Sequence, residues 1–141
     1  GAGVVTRSLE DPLDVLKLFA AEPFERQLEY LLISVQSDQN AADGLATLMA
    51  QYFDEEHTAA VEVARVITRD SFPMEPKTFD LLYDEIMAQL LDARNLNGMD
   101  RIDAATEDRI AIAVGAAHLG GENGLLNLLS RRGWDLQRAA F

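Results

Sequence analysis

The sequence predicts an α/β protein, α-rich α+β in its balance: a small, mostly parallel sheet of about three strands with five to six helices, most of them inserted between the first strand and a C-terminal βαβ unit. Three observations predict it. Apolar residues recur with helical spacing from Leu13 to about residue 105. The period then changes at Asp108-Arg109-Ile110-Ala111-Ile112-Ala113-Val114-Gly115, whose small and β-branched run has the pattern of a strand buried on both faces. Short extended-type segments flank the helices, over residues 4–9 and 134–140.

In chain order, Val4-Val5-Thr6-Arg7-Ser8-Leu9 alternates as a strand and stops at Glu10-Asp11-Pro12, where Asp can cap a helix and Pro can take its first position. Leu13, Leu16 and Phe19 carry that helix to about Ala21. Glu22-Pro23 restarts the pattern, with Phe24, Leu28, Leu31, Leu32 and Val35 on one face. Ser37-Asp38-Gln39-Asn40 is a polar break, followed by a third helix through Leu45, Leu48, Met49 and Tyr52 and a fourth through Val61, Ala64 and Ile67. Two prolines, Pro73 and Pro76, make a loop of residues 72–76 before a long helix through Phe79, Leu82, Ile86 and Leu90 to about Ala105, weakest at Gly98. Leu125, Leu126, Leu128 and Leu129 form the last helix, which Gly133 can end in a left-handed turn. Strand, short helix and strand at this end predict a right-handed βαβ unit.

The 141 residues are expected to form a single domain. A net charge of −12, with no clustered basic patch, argues against nucleic-acid partners. The absence of cysteine removes disulfides, thiol nucleophiles and thiolate metal sites. No apolar run approaches the ~20 residues of a membrane helix. The chain opens on Gly1-Ala2-Gly3 rather than on a signal peptide, which suggests a piece of a longer protein. Glycine-rich nucleotide loops and a Gly-x-Ser-x-Gly elbow are both missing.

Chemistry concentrates around His118. In a parallel sheet, ligands gather at the carboxyl ends of the strands, and the predicted strands put His118 and Glu10 at one edge. Neutral imidazole titrates near neutrality and ligates zinc, manganese or cobalt. The competing reading is a histidine capping a strand end or bonded within a turn. Gly115, Gly120, Gly121 and Gly124 are explained by turn geometry, and Glu122 by its place in the first turn of a helix. Arg94-Asn95 could orient an anion or carboxylate, with an exposed arginine as the plain alternative. His57 follows Asp54-Glu55-Glu56 and reads as part of a solvated acidic edge. The four methionines read as core filling.

Val114-Gly115-Ala116-Ala117-His118-Leu119, then Gly121-Glu122-Asn123-Gly124-Leu125-Leu126, resembles the carboxyl-terminal signature of the TraB/PrgY/GumN family. Leu9-Glu10 resembles its Gly-Leu-Glu element with Ser8 in place of glycine, and Arg94-Asn95 with Met99 and Arg101-Ile102 resembles its Glu-Arg-Asn helix with Ala93 in place of glutamate. The resemblance implies kinship with Tiki-type metal-dependent proteases, whose proposed site uses two Gly-x-x-His motifs and a glutamate. By that resemblance Gly115 to His118 is the second motif, Glu10 the glutamate, and Arg94, Gly115 and Glu122 support the site. The first motif is expected upstream of Gly1, on a missing amino-terminal half that would be this chain's natural partner. The implied function is a divalent-metal peptidase or hydrolase (zinc, manganese or cobalt) acting on a peptide or protein, inactive as this portion alone, and exported or membrane-associated at full length. The alternative is a non-catalytic helical protein-interaction module.

Overall fold

A computed structural model of the chain describes residues 5–37 and 41–139. Residues 38–40 of the predicted polar break, Val4 of the first predicted strand and Ala140 of the last lie outside the described residues. The helices stand where the apolar period places them: α1 Pro12–Ala20, α2 Phe24–Ser37, α3 Ala41–Phe53, α4 His57–Ser71, α5 Pro76–Met87, α6 Ala93–Asp103 and α7 Leu125–Arg131. Asp11 caps α1 by accepting a hydrogen bond from the Leu13 amide at 2.9 Å, with Pro12 at the first position, where its missing N–H costs nothing. Glu75 and Pro76 open α5 in the same way. A wide π turn, Ala88–Asp92, joins α5 to α6 without a break. Gly133, at φ 87°, closes α7 in the left-handed region that favours glycine.

The predicted sheet is absent from the described residues. Among the described residues there is no strand, so the α/β class, the parallel three-stranded sheet and the βαβ unit give way to a helical fold. Residues 5–8, 110–115 and 134–139 run without helix or ladder. The physical reason is visible in their burial. Ile110 and Ile112 are each 41% exposed, which contradicts a strand covered on both faces. An extended segment becomes a strand only when a second backbone lies beside it, and β-branched composition cannot supply that neighbour. Leu9 and Val114 still reach inward, packing on the core of Met99, Ile102, Leu125 and Leu128.

That core joins α6 to α7, while Phe79 and Leu82 of α5 and Ala60 of α4 are buried outside it. Asp80 ties α5 to α4 by accepting from Arg65 at 3.2 Å and Arg69 at 3.3 Å. Helices α2, α3 and α5 all pack on α4. Among the described residues, no helix is long and apolar enough to cross a membrane.

Candidate functional site

Helix α6 assembles the site. Its residue Arg94 reaches across 84 positions of sequence to Glu10, with Nε donating to one carboxylate oxygen at 2.8 Å and Nη2 donating to the other. This two-pronged geometry is the one in which a guanidinium binds a carboxylate most strongly. The remaining Nη1 donates to the Leu90 carbonyl at 2.9 Å, which anchors the arginine on the π turn. Arg101, two turns further along α6, donates to the Ser8 carbonyl at 2.8 Å and holds down the segment that carries Glu10.

The neighbouring residue, Asn95, is only 3% exposed and faces His118. Its Nδ2 donates to the carbonyls of Asn123 at 2.9 Å and His118 at 3.3 Å, which can only accept. The amide orientation is thereby fixed, and Oδ1 is turned to His118 Nδ1 at 2.7 Å. Because that oxygen can only accept, Nδ1 carries the proton and Nε2 keeps its lone pair. Asn123 is held in turn by donating to Asp92 at 3.0 Å. Polar groups on one face of α6 and its entrance therefore set the ring state of a histidine on a separate turn.

His118 sits in a single 3-10 turn, Ala116–His118, its amide donating to the Gly115 carbonyl at 2.9 Å. Burial lowers its pKa from the ordinary 6.5, and the Arg94 charge lowers it further, against a smaller opposing effect of Glu10. The ring is neutral near pH 7 as a result. Glu10 is moved the same way, chiefly by its hydrogen bond with Arg94, with burial opposing and the charges of Arg94, His118 and Arg101 adding to the fall. The result is an ion pair beside a neutral imidazole.

Of the sequence-predicted site residues, Glu10, Arg94 and His118 come together in this way. The agent is α6, not the edge of a sheet. Gly115 lies beside the ring, yet a Cβ built on it would meet His118 Cδ2 at an ordinary 3.7 Å, so space does not demand glycine there. Glu122 stands apart: its side chain is 81% exposed and pairs with Arg131 at 3.4 Å. His57 is half-buried rather than on a solvated edge, with its ring centre 6.2 Å from that of Tyr52. The reading from sequence gave Asn95 no role with histidine, named Asn123 only within the family signature and passed over Asp92. The signal was present for Asn95, which falls in the same i, i+4, i+7 stripe as Met99 and Ile102, the stripe α6 buries.

The donors fit a divalent ion in kind and fall short in number. Among the described residues no three of His, Cys, Asp or Glu cluster to hold a metal, and both Glu10 oxygens already serve Arg94. A hydrolytic zinc takes three protein ligands and leaves a fourth position open.

No curated protein and no solved structure matches the chain. The model of one family does match, that of the TraB/PrgY/gumN family, and it runs over residues 1–138. The chain, almost end to end, belongs to the TraB/PrgY/gumN family.

Proposed function

We propose that this chain carries part of a peptidase-type hydrolase site, in which His118 Nε2 is the reacting nitrogen and the Glu10–Arg94 pair is the charged wall beside it. The observation that supports the reading is the fixed tautomer: Asn95 accepts a hydrogen bond from the Nδ1 proton, and burial with the Arg94 charge disfavours a second proton on Nε2. A neutral imidazole with a free Nε2 can take a proton from water or bind a cation. Metal dependence is part of the proposal: zinc, manganese or cobalt would draw on His118 and Glu10, with at least one more donor from outside the described residues. The substrate class is a peptide or protein amide.

The test is thermal unfolding with millimolar zinc, manganese or cobalt, read for the chain, for His118→Ala and for Glu10→Gln. A ligand that binds only the folded state raises the melting temperature by mass action. The expected result is a rise in the chain that is lost in both variants. No rise in the chain, or the same rise in His118→Ala, overturns the metal assignment.

A second reading, a helical interaction module, is favoured by one observation. Leu13, Leu16, Phe24, Leu31, Val35 and Leu45 on α1, α2 and α3 are all exposed, and an apolar surface of this kind marks contact with another protein. Light scattering over a concentration series tests it in its simplest form. Mass that grows with concentration supports it, and a monomer throughout counts against it.

A further inference from the structure

Beside the site lies a recess of about 450 Å³, within the range of cavities that hold small ligands. Its walls come from α3, α4, α5, the π turn and the turn before His118. Arg94 belongs both to its lining and to the Glu10 pair, and Ala116 and Ala117 line it immediately before His118. The recess therefore adjoins the turn that carries the imidazole.

Two features fix what it can hold. Leu90 and Leu91 of the π turn and Met87 at the end of α5 give it an aliphatic wall. On that side the polar groups have partners: Arg94 serves Glu10 and Leu90, and the Tyr83 hydroxyl donates to the Val61 carbonyl at 3.5 Å, while Tyr52 and His57 contribute a hydroxyl and an imidazole to the lining from α3 and the start of α4. Against the Met87, Leu90 and Leu91 wall a charged or hydroxylated occupant would lose water with little to replace it, which is costly, whereas an aliphatic or aromatic one gains by leaving water. The space itself exists because Ala60 and Ala64 of α4 face it with methyl groups. The wall bearing His118 is also seated firmly on α4, since a Cβ at Gly120 would collide with the Thr58 side chain.

We infer that this recess is a specificity pocket that takes an apolar side chain from the peptide residue next to the amide presented to His118. The assignment rests on the peptidase reading for its substrate, but binding in the recess needs neither hydrolysis nor metal. The test titrates the full chain, labelled at alanine methyls, with N-acetyl-leucinamide and N-acetyl-phenylalaninamide, using N-acetyl-serinamide and N-acetyl-aspartamide as polar comparisons. Saturable shifts at Ala60, Ala64 and Ala117 with the two apolar probes, and none with the polar ones, are expected. Filling the recess with Ala64→Leu or Ala117→Leu should weaken apolar binding by about tenfold, with circular dichroism confirming that each variant folds. His118→Ala should retain it. The absence of shifts, equal response to the serine probe, or unchanged affinity in both folded filling variants overturns the pocket. A failed metal response with intact apolar binding instead strikes the metal reading and leaves the recess in place.

Discussion

At Asn95 one side-chain amide serves two carbonyls and receives one ring N–H, so its replacement has separable consequences. Asn95→Ala leaves the partly buried carbonyls of His118 and Asn123 short of a donor and should cost about 1–3 kcal/mol of stability. It also releases Nδ1, so the nitrogen shifts of the His118 ring should change from one fixed tautomer to a mixture; a ring that stays in one tautomer would refute the assignment. Acidification reads the same residues. The unfolded chain binds a proton to His118 near 6.5 and the folded chain only at lower pH, so stability held above 6.5 is lost as pH falls through the window beneath it. Glu10, depressed from 4.5 by Arg94, adds a second loss as pH falls through the window below 4.5. Denaturant unfolding should show both losses, with the first reduced in His118→Gln and the second in Glu10→Gln. Glu10, His118 and Arg94 were legible as candidates because each is chemically marked in its own stretch. The Arg94–Glu10 pair and the Asn95–His118 bond were not, because contacts 84 and 23 residues apart leave no local pattern.

The helices were readable because a helix completes its hydrogen bonds within itself and shows its buried face as a period. The three expected strands were misread for the converse reason: at residues 110–115 the composition suits a strand, but the partner that makes one is remote in sequence. The π turn of Ala88–Asp92 also escaped, since the apolar spacing of Leu90 and Leu91 continues through it. Gly98 was expected to be the weak point of the long helix, and the structure shows why it can be repaired. It is buried in α6, yet a Cβ there would meet nothing within 4 Å, so the backbone freedom of glycine has no compensating use. Gly98→Ala should stabilise the chain by about 0.5–1 kcal/mol, raising the melting temperature by a few degrees. Gly124→Ala should do the opposite, because its Cβ would enter the Gly120 carbonyl and push apart the turn before α7. Thermal scans of the two variants check the pair, and a destabilised Gly98→Ala would mean that α6 packs more tightly there than its surroundings indicate.

For the whole molecule the governing quantity is charge. With 12 lysines and arginines against 24 aspartates and glutamates, the folded chain concentrates a net −12 in a small volume. Some of the basic side chains are already committed to carboxylates, including Arg65 and Arg69 on Asp80, Arg94 on Glu10, and Arg132 on Asp103 at 3.2 Å. Salt acts on both populations in opposite senses. It screens repulsion among exposed carboxylates beyond a screening length of about 10 Å at 0.1 M. It also weakens ion pairs, but exposed pairs contribute only ~0–1 kcal/mol each, and partly buried pairs such as Glu10–Arg94 are screened less. Relief of repulsion should therefore win. Raising potassium chloride from about 10 mM to about 0.5 M should increase the melting temperature, with most of the gain below about 0.2 M, where the screening length changes fastest. Chloride is the right anion, since sulfate stabilises through exclusion from the surface and would confuse the two effects. A melting temperature that falls with chloride would show that the arginine pairs binding α4 to α5 and α6 to Glu10 outweigh the carboxylate excess around them.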